Sequence, residues 1–103
     1  MSGSPELSPE QRRAALARAL EARREHAAVV AEMRAGRLDL AGALADERAR
    51  RARVGQLVRA LPGVGPALAE RIMTCAGIGD GKRVAGLGDR QRAALLAAAG
   101  DGR

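Results

Sequence analysis

The residues best suited to chemistry lie in one run, Leu61-Pro62-Gly63-Val64-Gly65-Pro66-Ala67-Leu68-Ala69-Glu70-Arg71-Ile72. Two glycines flank one apolar residue, so the backbone can turn tightly between two helices while Val64 plugs the core. Glycine suits such a turn because it reaches backbone angles closed to other residues. The turn leaves N–H groups unbonded at the start of the following helix, where the helix dipole is positive. Such a helix start binds phosphate. A plain helix–helix corner, with glycine serving packing alone, is the competing reading. The other reactive side chains offer little. Cys75 and His26 stand alone of their kinds, forty-nine positions apart, with neither metal-ligand spacing nor a nucleophile–base pattern. Cys75, in Ile72-Met73-Thr74-Cys75-Ala76, reads as a small core residue, and His26 as a solvated residue on a charged helix. Glu10, Asp39 and Asp89 fall at helix starts, which leaves no carboxylate pair for acid–base work. No enzyme, cofactor or metal site is expected.

Composition narrows the partner. The 103 residues include eighteen bases and twelve acids, no Phe, Tyr or Trp, and a single lysine, Lys82. A net charge of +6 favours a polyanion. The absence of aromatic rings removes binders that stack single-stranded bases. The arginine excess fits bidentate phosphate binding, and it equally fits a bias toward GC-rich codons. No apolar run is long enough to cross a membrane, and Met1-Ser2-Gly3-Ser4-Pro5 is too polar for a secretory signal. A cytoplasmic location is expected.

Helices must position these groups, because no stretch alternates with period two. Residues 1–7 read as a disordered tail. Ser8-Pro9-Glu10-Gln11 is a capping box with proline in the first turn, opening a helix that runs to Ala35 and ends at Gly36. Residues 8–36 thus form a long basic helix that projects in part, since its first half offers mainly alanine and two leucines. Residues 37–103 form a compact helical domain. In it Asp39 caps a second helix, and the charged stretch Asp46–Arg53 connects to a third helix carrying Val54, Leu57, Val58 and Leu61. A fourth covers about Ala67 to Ala76 and stops at Gly77. Ile78 to Gly88 reads as irregular, and Asp89 caps a last helix ending at Gly100. The fold class is all-α, with a motif of the helix-hairpin-helix or helix–two-turns–helix kind.

The chain also resembles, as a whole, the actinobacterial (mycobacterial-type) integration host factor family. Leu7–Arg12, Arg18–Arg24, Leu57–Met73 and Gly86–Arg92 followed by Ala94-Leu95-Leu96 carry the likeness. The resemblance implies a small helical nucleoid protein that binds duplex DNA through backbone and minor groove with little sequence preference, bends or compacts it, and supports recombination alongside a recombinase or other nucleoid proteins; a monomer is expected. It implies phosphate contacts at Pro62, Gly63, Val64 and Gly65, and basic contacts around Gly86-Leu87-Gly88 from Lys82, Arg83, Arg90 and Arg92. Two departures stand out. Pro66 replaces the lysine usual in the family, and Ala85 replaces the third base of the Lys82-Arg83-Val84-Ala85 stretch. The connection before the third helix is shorter than usual and gains bases.

Charge placement adds weaker candidates. Net charge is −2 over residues 1–11, +6 over 12–59 and +2 over 60–103. Arg23 and Arg24 on the long helix, with Arg48, Arg50, Arg51 and Arg53 in the connection, are candidate phosphate contacts; the long helix reads equally as a solvated face. Without an evident recognition helix, selectivity would come from groove width or bending, with Val, Leu, Met or Pro as any wedge. Two other functions stay open: a protein–protein adaptor with reduced DNA binding, and a structured-RNA binder.

Overall fold

The structure is a computed structural model that describes residues 7–101. The expected tail falls almost entirely on residues 1–6, outside the described residues. Five α-helices follow in order: α1 Pro9–Arg34, α2 Leu40–Leu44, α3 Val54–Arg59, α4 Pro66–Cys75 and α5 Asp89–Asp101. Short 3₁₀ turns at Glu47–Ala49 and Val84–Gly86 complete them. Among the described residues there is no strand, and the fold is all-α.

The first helix forms where its sequence ends demand. Ser8 Oγ accepts from the Gln11 N–H at 3.1 Å, and Gln11 Oε1 accepts from the Ser8 N–H at 2.8 Å. Gly36 closes the other end at φ +75°, the left-handed angle that glycine adopts freely. Between those caps the helix divides in two. From Pro9 to Glu25 every residue but Ala15 is exposed, Leu16 by 57% and Leu20 by 42%. Val29 and Met33 are wholly buried. The latter half of α1 packs on α2 and on the Glu47–Ala49 turn.

The core continues through Leu44, Val54, Leu57, Val58, Ile72 and Leu95, all 3% exposed or less. It holds α3 on α4 and α4 on α5. Asp39 caps α2 through the Gly42 N–H at 2.7 Å.

Several expectations need correction. The fourth helix starts at Pro66 rather than Ala67. Asp89 is the first residue inside α5 rather than its cap; Gln91 Oε1 reaches back to the Gly88 N–H at 3.2 Å. The same helix runs through Gly100 to Asp101. Cys75 is exposed, not a core residue. Its side of α4 faces Ala94, Ala97 and Ala98 of α5, too short to cover it, across an open recess of about 510 Å³. His26 is half-buried, and its Nε2 is shut off from water without a hydrogen-bond partner.

The segment expected to be irregular is instead tied down. The Val54 N–H donates to Lys82 O at 3.0 Å, the Val84 N–H to Ala52 O at 3.0 Å and the Ala85 N–H to Arg50 O at 2.9 Å. The Arg83 guanidinium donates to Arg51 O. Arg53 and Arg83 form an isolated antiparallel bridge. Val84 is the apolar anchor, 4% exposed. Residues 82–85 therefore lie against residues 50–54, although about thirty positions separate them in sequence.

Candidate nucleic-acid interface

The glycine turn joins α3 to α4. Val64 is 7% exposed, and its N–H donates to Leu61 O at 3.1 Å, so the plug sits where its residue type requires. Gly63 holds φ +79°. That angle needs glycine, because a Cβ would crowd the following carbonyl. Gly65 is different. It sits at φ −87° and ψ 179°, extended backbone open to any residue, and a Cβ there would meet nothing within 4 Å. Neither backbone angle nor crowding calls for glycine at position 65.

Gly65 is also the N-cap of α4, and no side chain caps that helix. Pro66 at the first helical position has no N–H to offer. The Ala69 N–H is bonded to Gly65 O at 2.9 Å. The N–H groups of Ala67 and Leu68 are the orphan donors of the first turn, at the positive end of the helix dipole.

Two clefts flank α3. The first, of about 520 Å³, lies between the α1 face of Arg18, Arg23 and His26 and the connection carrying Arg50 and Arg51, with Arg83 at its edge. The second, of about 420 Å³, lies between Arg53, the N-cap of α3, with Gln56 and Arg59 of that helix, and the start of α4 at Pro66 and Ala69, and Glu70 and Asp80 line it as well. Main-chain pairing of residues 50–54 with 82–85 is what joins Arg83 to Arg50 and Arg51 on one wall. Lys82 is turned elsewhere, its Nζ donating to Gly86 O at 3.2 Å.

The remaining candidates scatter. Arg24 stands exposed, 3.9 Å from Glu21, and lines neither cleft. Arg90 is exposed on α5. Arg92 is half-buried with its Nε unpartnered, and it lines a recess of about 330 Å³ together with Arg50 and Ala85. Arg48 is already engaged: its guanidinium meets Glu32 at 2.8 and 3.2 Å and Asp46 at 2.8 and 3.0 Å. This triad fastens α1 to the Glu47–Ala49 turn. Arg48 holds both carboxyls below their ordinary values of 4.5 and 3.8, chiefly by hydrogen bonding, and its own pKa is raised in return. Among the described residues no three His, Cys, Asp or Glu gather to hold a metal ion, and no described helix is long and apolar enough to cross a membrane.

Gln56 and Arg59 were missed in the sequence. Their signal was the three-residue spacing Arg53, Gln56, Arg59, which puts all three on one helix face beside the apolar set Val54, Leu57 and Val58.

The S13-like H2TH domain family matches residues 34–98, which hold the glycine turn, both walls of the second cleft and the paired connection. Integration host factor of Mycobacterium tuberculosis is 43% identical over 96 residues, covering 89% of this chain and 91% of the relative. The chain belongs to the integration host factor family. Within that family, the Mycolicibacterium smegmatis protein matches with the same identity and coverage. The Streptomyces coelicolor protein is 41% identical over 100 residues, with 88% of this chain and 89% of the relative covered. A solved structure of sIHF bound to an 8-base-pair palindromic DNA superposes with a TM-score of 0.72 at 33% identity, spanning 78% of this chain and 94% of that one.

Proposed function

We propose that this family member is a non-enzymatic, nucleoid-associated protein of the cytoplasm that grips duplex DNA by its backbone and minor groove, with low sequence specificity. The observation that carries the reading is Gly65, a glycine that the fold does not require, placed at an uncapped helix start. A phosphate seated there would receive the Ala67 and Leu68 N–H groups, and any side chain at position 65 would stand in its way. The related sIHF structure is a complex with DNA, which supports duplex DNA as the polyanion. Arg18, Arg23, Arg50, Arg51 and Arg83 in the first cleft supply most of the charge, and Arg53 and Arg59 stand beside Glu70 and Asp80 in the second. The turn supplies geometry and the arginines supply affinity. Arg48 acts in this reading as a brace that holds the wall of the first cleft. Bending or compaction of DNA and support of recombination are part of the same proposal, resting on the family alone.

Gly65→Glu tests the reading, because the fold tolerates a side chain there while a carboxylate would repel phosphate. Gel shifts with two unrelated duplexes at low salt should show binding by the wild type and none by the variant. The circular dichroism of the two proteins should agree. Equal binding by both proteins would remove the turn from the interface.

A further inference from the structure

Arg13, Leu16, Leu20, Arg24, Ala27, Ala31 and Arg34 follow one another at spacings of three or four, so they form one line along α1. All seven are exposed, and none of them lines either basic cleft. Val29 and Met33, which anchor the helix, lie on its other side. The line reads base, two leucines, base, two alanines, base, over about 32 Å of helix. The four acids of α1, Glu10, Glu21, Glu25 and Glu32, share a neighbouring face and leave this one without a carboxylate. Leu16 and Leu20 are the large apolar side chains that α1 leaves exposed, at 57% and 42%. Arg24 meets Glu21 at 3.9 Å, an exposed contact too weak to hold its guanidinium. Arg13 and Arg34 form no ion pair among the described residues. A phosphate backbone suits the arginines but gives the leucines nothing to bury against. A second copy brings leucines, yet antiparallel pairing sets Arg13 on Arg34 and Arg24 on Arg24, and parallel pairing sets each base on itself. An acidic helix with an apolar stripe meets both needs.

We propose that this outer face of α1 docks a protein partner through an acidic amphipathic helix, whose carboxylates meet Arg13, Arg24 and Arg34 and whose apolar residues cover Leu16 and Leu20. The three bases stand eleven and ten positions apart, and the partner's carboxylates must match that spacing. Burial of the leucines supplies affinity, and the arginines set register and orientation. Because the line lies away from both clefts, the partner and a duplex can be held together.

The test uses the full chain and a labelled helical peptide that carries glutamates at this spacing with leucines between them. Fluorescence anisotropy should show the peptide bound by the wild type. A control peptide with glutamine for every leucine should bind about tenfold more weakly or worse, because the leucines of α1 then lose their cover. Leu16→Gln combined with Leu20→Gln should weaken the leucine peptide by a similar factor, as should Arg13→Gln combined with Arg24→Gln. All four residues are exposed, so circular dichroism should show an unchanged fold. Gel shifts of the doubly substituted leucine variant on duplex DNA should match the wild type, and saturating duplex should leave the peptide bound. No binding of the leucine peptide overturns the proposal. Equal binding of the glutamine peptide, an unaffected leucine variant, or displacement by duplex overturns it too, and makes the face a general polyanion surface. Phosphatidylserine vesicles that displace the peptide assign the face to lipid and overturn it as well. A chain that binds the peptide but no duplex keeps this proposal and overturns the duplex-binding reading.

Discussion

Two glycines separated by one residue serve different ends, and the difference is measurable. Gly63→Ala forces an L-residue to φ +79° and should cost about 1–2 kcal/mol of stability, read by urea denaturation. Gly65→Ala should change stability by less than about 0.5 kcal/mol, since its backbone is extended and its surroundings open. In the sequence the two positions look alike; only the backbone angles tell a glycine that the fold requires from one that it does not. Arg48 teaches the same lesson from the other side. It reads as one more base in an arginine-rich connection, yet Glu32, sixteen positions away, and Asp46 already claim it. Because Arg48 lowers both carboxyl pKa values, the unfolded chain binds more protons than the folded one as the pH drops. The contribution of the triad is therefore complete above the ordinary value of 4.5 and is lost as the pH falls through the lower folded values. Arg48→Met should flatten that acid limb in a plot of melting temperature against pH. An unchanged acid limb would mean that the triad contributes nothing to the fold.

At the scale of elements, most helix ends were legible, while the two ends of α5 and the long-range pairing were not. Ser8, Gln11, Gly36, Asp39 and Gly77 act through neighbours three or four residues away, and the sequence shows those neighbours directly. The pairing of residues 50–54 with 82–85 depends on backbone groups, which leave no mark on side-chain types, so Ile78–Gly88 read as irregular. The two halves of α1 should behave as separate units under perturbation. Met33→Ala removes a wholly buried side chain and should cost about 2–5 kcal/mol. Leu16→Ala, on the exposed half, should stay within about 0.5 kcal/mol of the wild type. Ser8→Ala should speed amide hydrogen exchange in the first turns of α1 while leaving global unfolding unchanged, because little beyond the capping box holds that end. A global loss of stability in Ser8→Ala would show that the exposed half is packed in solution.

For the whole molecule, charge and geometry are divided between parts. The molecule extends 55 Å along its long axis and 23 Å along its short one. The arginines of α1 and of the connection face each other across one cleft, while the uncapped start of α4 opens on the other. Composition announced the polyanion from the first residues read; the cleft itself emerged only when α1 and the connection were brought together. If the arginines supply affinity through phosphate contacts, binding must release counterions, and its salt dependence counts them. The direct test is a set of binding isotherms with one duplex over a range of salt concentration, for the wild type and for Arg50→Ala, Arg51→Ala and Arg53→Ala. Binding should weaken steeply with salt, log K falling by about 0.9 per phosphate contact against log salt. Each variant should lower that slope by about 1. A duplex affinity that is absent at low salt, or indifferent to salt and to all three substitutions, would contradict the account.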